Sequence, residues 1–340
     1  MIKISIIMPV YNSEKTVSKS IISILEQSFK EFELVIVNDG SIDNTRCVCE
    51  RFLSDNRIKL ININNSGPSK ARNIALDNCV GKYVMFIDSD DYYDKEMLKV
   101  MYNSIENNDS DMVCCNYIEV HNGISKYTKP VEQLNCKNKK DLYQMIDFLK
   151  KEKKLNMIWN KIYKREVLNK NKIRFDTNIE MGEDYKFNID YFNIIENVNV
   201  INDYLYNYVF NIDSLCGKYR KDDFYIKLNN LQYHENMYIK NNYPLKNIYK
   251  YYLMVVMSSI NTLFSNKCPM GYYDKISKIR EYITNDKINE IIKCNFTKNL
   301  EQKIFYILIK YRLCRLIYIY TKARINLKKA IYKIKKQNYR

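Results

Sequence analysis

The chain has 340 residues, 46% of them hydrophobic and 28% charged, with a formal net charge of +16. That length buries a substantial core as one large domain or two smaller ones, and no apolar run approaches the roughly 20 residues that span a bilayer. Ten cysteines without a Cys-x-x-Cys pair, and only two histidines (His121 and His234), support neither a zinc site nor a disulfide framework. The opening Met1-Ile-Lys3 lacks the order of a signal peptide, so a cytoplasmic protein is expected. The charge is local: 298–340 holds 13 Lys and Arg against one Glu, leaving 42 against 38 in the first 297 residues. A basic tail on a near-neutral body argues against nucleic acid as the partner.

In chain order, 4–10 reads as a buried strand, and Tyr11-Asn12-Ser13 as a turn with Asn12 or Ser13 capping an amphipathic helix over 14–29. A second strand, 34–37, ends in Asn38-Asp-Gly-Ser41, after which Ser41 or Asp43 caps a helix to about 53. Strand 58–63, a turn at 64–68 and a helix over 69–79 follow. The fourth strand, 83–87, is short, β-branched and aromatic, and runs abruptly into Asp88, Asp90 and Asp91. Strand–helix alternation with short connections predicts a mostly parallel sheet covered by helices on both faces. Beyond it come a helix over 95–107, a strand over 111–120, a hairpin turn at 121–123 and helices over 138–152 and 159–169. A helix then opens at Gly182-Glu-Asp184, and 198–209 makes one or two strands. From about 222 the pattern is wholly helical, with a boundary expected near 216–221.

The acidic end of the fourth strand suits a hard divalent cation shared with phosphate oxygens, because carboxyl ends of parallel strands are where open α/β sheets hold ligands. The same aspartates would also serve as helix caps. Taken together, Met8-Pro-Val-Tyr-Asn12, Asn38-Asp-Gly-Ser-Ile-Asp43, Asn65-Ser-Gly-Pro-Ser-Lys-Ala-Arg-Asn73 and Asp88-Ser-Asp-Asp91 resemble the family 2 glycosyltransferases. Trp159-Asn-Lys-Ile-Tyr-Lys-Arg165 and Gly182-Glu-Asp-Tyr185 extend the resemblance to about 215.

The resemblance implies a GT-A fold, a Rossmann-like mixed sheet over 1–220. Within it 1–110 would be the nucleotide-sugar half and 111–220 the acceptor half, with a helical region over 221–340. It implies that Pro9, Val10 and Tyr11 line the base pocket, and that Asp39 accepts a hydrogen bond from uracil N–H. Gly67 would allow close approach of the nucleotide, and Arg72 would reach phosphate or hold Asp39 and its neighbours. Asp88 falls to the ribose or the metal shell, Ser89 to the nucleotide sugar, and Asp90 to Mn2+ or Mg2+; Asp91 is second to the metal or a cap. Glu183-Asp184 matches the family's acidic pair, with Asp184 as the base that takes the acceptor hydroxyl's proton. On the acceptor side, Trp159 stacks on sugar or fills the core, and Lys161 or Arg165 steers phosphate or an anionic acceptor. Residues 208–214 stand where the family often has a mobile loop over the donor. No Gln-x-x-Arg-Trp follows the acidic pair, which favours addition of one sugar or a few to a surface-glycan or lipid-linked acceptor.

In the tail, Leu316, Ile319, Ala323, Leu327, Ile331 and Ile334 recur at helical steps among Lys322, Lys328, Lys329, Lys333, Lys335 and Lys336. Such a basic amphipathic helix docks on the anionic inner face of a membrane, or packs on the domain or a second subunit of a homo-oligomer. Two other classes fit the sequence less well. A sugar nucleotidyltransferase would have a glycine-rich phosphate loop where Pro9–Ser13 has none. A degenerate, non-catalytic basic module would not retain Asp39, Asp88, Asp90 and Asp184 together.

Overall fold

The structure, a computed structural model, describes residues 1–130, 134–210, 219–292, 294 and 300–337, the side chains of 332–337 excepted. Two compact units emerge, Met1–Ile212 and Asp213–Arg340. The boundary expected near 216–221 falls partly on 216–218, outside the described residues, as do 211–214 of the expected loop and the side chains of Lys333, Ile334, Lys335 and Lys336.

The first unit is built on one sheet: β1 (Ile4–Val10), β2 (Phe32–Asp39), β3 (Ile58–Ile63), β4 (Tyr83–Phe86), β5 (Tyr92–Tyr93), β6 (Met112–His121), β7 (Ile124–Tyr127), β8 (Leu134–Cys136), β9 (Lys161–Lys164) and β10 (Val198–Val209). Among the described residues the order is β3-β2-β1-β4-β9-β6-β10-β5, with β7 on β6 and β8 on β10. β1 lies parallel to β2 and β4, and β2 to β3. Helices α1 (Val17–Leu25), α2 (Thr45–Glu50) and α3 (Pro68–Asn78) carry the crossovers that parallel neighbours require. α1 packs through Val17, Ser20, Ile21 and Ile24, one helical stripe. Register sets Val10 beside Asn38, and Ile7 beside both Val35 and Phe86. The turns after β1, β2, β3 and β4 therefore gather along one edge of the sheet.

The second half of this unit makes the sheet mixed, because β9 is antiparallel to both β4 and β6. Residues 159–169 are thus not a single helix: β9 is followed by the short α6 (Arg165–Lys170). The reason is tertiary. Backbone groups on the facing sides of β4 and β6 need partners, and Ile162 and Tyr163 are fully buried between them. The two-residue β5 and three-residue β8, also unexpected, are too short to carry a period. Helices α4 (Met97–Asn107), α5 (Lys139–Lys151) and α7 (Glu183–Phe192) complete the unit. α5 is capped by Asn138, whose Oδ1 accepts from Asp141 N at 3.0 Å.

The second unit is helical among its described residues: α8 (Asp223–Lys240), α9 (Lys246–Thr262), α10 (Tyr272–Ile283), α11 (Asp286–Ile291), α12 (Leu300–Lys310) and α13 (Cys314–Gln337). Among the described residues its interior holds one carboxylate, Glu235, which accepts from Tyr252 Oη at 2.7 Å and pairs with Lys287 Nζ at 2.8 Å. Among the described residues no helix is long and apolar enough to cross a membrane.

Candidate active site

The turns at the strand ends are laced together. After β1, Asn12 N donates to Ser41 Oγ at 3.1 Å, and Asn12 Oδ1 accepts from Ile42 N at 3.0 Å. Ser13 N donates to Thr45 Oγ1 at 2.6 Å, and Thr45 Oγ1 donates to Asp43 Oδ1 at 2.5 Å, so Asp43 fastens the start of α2 to the β1 turn. Ser13 Oγ lies 2.7 Å from Ser89 Oγ, which joins that turn to the acidic corner after β4. Val10 is buried, so only its main chain faces the edge, whereas Pro9 is half-buried and Tyr11 exposed.

Asp39 closes β2 from a buried position, and its carboxylate shapes the loop after β3. Oδ1 accepts from Ser66 N at 2.7 Å and Oδ2 from Gly67 N at 2.8 Å. Each oxygen keeps a second lone pair. Gly67 has φ +87°, and a Cβ there would meet open space, so the glycine is required by backbone conformation and not by crowding.

The acidic corner and the start of α7 meet on one side chain. Arg72, on α3 and buried, donates from Nη2 to Asp88 Oδ1 at 3.2 Å, and from Nη1 to Glu183 Oε1 and Asp184 Oδ1, both at 3.2 Å. Burial alone would lower the pKa of this guanidinium, but the charges of Asp184, Asp88 and Glu183 more than reverse that. Phe175 sits 5.3 Å from Arg72 Cζ and stacks on Phe187 of α7. Asn73 pins Phe175 with two 2.8 Å bonds to its main chain. Asp184 loses solvent, which pushes its carboxyl up to about 7, with Arg72 pulling down and Glu183 and Asp88 pushing up. Burial, then the charge of Asp88, pushes Asp90 up to about 6.

Asp91 does not cap the following helix, which starts at Met97. It is buried, accepts from Tyr206 Oη at 2.6 Å and Val209 N at 2.7 Å, and so ties the corner to β10. Burial and the charges of Asp88 and Asp90 hold its carboxyl well above the usual range. Trp159 is core: it is 6% exposed and stacks on Tyr206 at 4.2 Å, with Tyr208 parallel at 5.6 Å. Lys161 corrects the expectation of an anion-steering residue. It is fully buried, and its Nζ donates to the main-chain carbonyls of Lys154 and Met157 and to Asn160 Oδ1. Arg165 is likewise committed to main chain, at Gly81 O and Val80 O.

Residues 5–172 match the model of the family described as Glycosyl transferase family 2. This domain belongs to glycosyltransferase family 2. The glycosyltransferase is 28% identical over 338 residues to the uncharacterized glycosyltransferase EpsJ of Bacillus subtilis (strain 168), covering 96% of this chain and 97% of EpsJ. It is 31% identical over 215 residues to the poly(ribitol-phosphate) beta-N-acetylglucosaminyltransferase TarS of Staphylococcus aureus, covering 61% of this chain and 35% of TarS. Full-length TarS is thus about three times the matched stretch. The structure of S. aureus TarS 1–349 with UDP-GlcNAc superposes with a TM-score of 0.64 at 22% identity, covering 97% of this chain and 92% of that one. At that identity the likeness is one of fold, and the fold is GT-A followed by a helical region.

Enzymes of this family are often metal-dependent. Among the described residues no group of three or more His, Cys, Asp or Glu could hold an ion. Asp88 and Asp90 do supply hard oxygen donors whose mutual repulsion a cation would relieve. Magnesium-type sites commonly use one or two carboxylates plus substrate phosphates, so this donor set fits.

Proposed function

We propose that the enzyme moves a sugar from a UDP-linked donor to a hydroxyl of a surface glycan or lipid-linked acceptor, inverting the anomeric carbon. The observation that carries the reading is Arg72, one buried guanidinium bonded to Asp88 after β4 and to Asp184 at the start of α7. It keeps the donor corner and the candidate base within one side chain's span. Asp184 takes the acceptor hydroxyl's proton as that oxygen attacks C1 and the nucleoside diphosphate leaves. A carboxyl raised to about 7 suits a base working near neutrality. Main chain at Pro9 and Val10, the Tyr11 ring, Asp39 and Gly67 receive the base, and Asp88 and Ser89 the ribose and phosphates. Asp90, with Asp88, would hold Mn2+ or Mg2+, which when bound offsets the charge of the departing diphosphate. Residues 1–110 serve the donor and 111–220 the acceptor, with Glu183 beside it. TarS, known in complex with UDP and with UDP-GlcNAc on this fold, supports the uridine assignment.

The tail extends the reading. α13 exposes Leu316, Ile319, Leu327 and Ile331 alongside Lys322, Lys328 and Lys329, the make-up of a helix that lies on an anionic membrane surface. A cytoplasmic enzyme held there would meet lipid-linked acceptors where they are built.

Calorimetric titration with UDP, with and without Mn2+, tests the donor half. Metal-dependent binding is expected in the intact protein and its loss in Asp90→Asn. Binding of other nucleoside diphosphates but not UDP overturns the uridine assignment, and no nucleotide binding under any metal condition overturns the donor corner.

A further inference from the structure

We propose that the second unit holds a site for the phosphate headgroup of an anionic membrane lipid, a refinement that rests on the membrane reading of the tail. The site is a pocket of about 520 Å³ between one face of α10 and the junction of α12 with the start of α13. Arg280, Arg312 and Arg315 line it together with Tyr272, Tyr273 and Leu316.

Three arginines line it, and no carboxylate stands among the described residues that line it. The acids close by in sequence are committed elsewhere among the described residues. Asp274 accepts from Gly271 N, Glu281 pairs with Lys278 and accepts from Tyr225 Oη, and Glu301 pairs with Arg324. Planar guanidinium groups grip phosphate oxygens two at a time, a geometry that ammonium groups cannot reproduce. The unbalanced charge therefore selects an anion with several oxygens.

The apolar side chains identify its source. Leu313 and Leu316 line the same pocket and are 38% and 50% exposed, and Ile319 on the next turn is 58% exposed. A free phosphate has no use for that surface, whereas a lipid places its phosphate on the arginines and its glycerol and upper acyl carbons on the leucines. Tyr272 and Tyr273 suit the level of the headgroups, where amphipathic rings gather. The charge is complementary as well, with 13 Lys and Arg against one Glu over 298–340. In this arrangement α13 supplies general attraction and the pocket fixes the enzyme's orientation on the bilayer.

The test is co-sedimentation of the full chain with vesicles of phosphatidylglycerol and phosphatidylcholine, or of phosphatidylcholine alone. Diffuse attraction depends on charge and not on its chemical form, at about fivefold in binding per basic residue. Arg312→Lys with Arg315→Lys keeps the charge and is expected to weaken binding to the anionic vesicles about tenfold. Lys328→Arg with Lys329→Arg is expected to change nothing. Equal binding of the first pair and the unaltered protein would overturn the site while leaving the membrane reading standing. Displacement from the vesicles by inorganic phosphate at the concentration of lipid phosphate would overturn the lipid assignment. No binding of the unaltered protein to anionic vesicles would remove both, and the UDP titration reports independently on the transferase.

Discussion

Asp184→Asn is expected to lower kcat about 10³-fold, inside the roughly 10²- to 10⁴-fold range of a lost general base, while UDP titrates as before. Asn keeps the shape and can still meet Arg72, so the loss isolates proton transfer from the architecture. The pH profile makes the assignment sharper. The base must be ionised, and loss of solvent raises its carboxyl to about 7. Activity should therefore climb about tenfold per pH unit up to that value and then level, and the Asn variant should lose that limb. The same shift has a sign for stability. A carboxyl whose folded pKa is raised contributes stability that is fully present below its unfolded value, near pH 4 by the usual reference of about 3.9. That contribution is lost as pH rises through about 7. A flat rate profile across this window, or an Asn variant of full activity, would give the base to another residue.

The donor half was legible because parallel strands buried on both faces read as near-continuous apolar runs, as residues 6–10 and 34–37 do. Its turns carry local chemistry that short-range pattern reports, such as the Asp43 bond to the Thr45 amide. The acceptor half resisted for the opposite reason. β9 has four residues, Lys-Ile-Tyr-Lys, and is a strand only because β4 and β6 flank it. Lys161 lies in a family-like stretch yet is buried on carbonyl oxygens, a fate that its neighbours in sequence do not announce. The Tyr206–Asp91 bond spans 115 positions and has no local trace. Arg72 was visible as a candidate from resemblance alone, since its carboxylate partners on α7 lie more than a hundred residues away.

Arg72→Met is expected to destabilise the fold by about 3 kcal/mol, the low end for breaking a buried ion pair, and to lower transfer severely. The low end applies because the removed charge is the buried partner. Side chains of Asp88, Glu183 and Asp184 are 34%, 16% and 26% exposed and keep some water when the guanidinium goes. What remains is three carboxylates facing one another without a cation, beside a Phe175–Phe187 stack that has lost its charged neighbour. Urea midpoints measure the first effect. Arg72→Lys separates charge from geometry: an ammonium can meet one carboxylate well but cannot fork between α7 and the β4 corner. It should recover most of the stability and little of the rate. The decisive readout is again pH. The charge of Arg72 is the chief influence holding Asp184 down, so in any variant that retains measurable activity without it, the rising limb must move to higher pH. A limb that stays in place would mean that the guanidinium and the base act separately, and Arg72 would then be a structural tie alone.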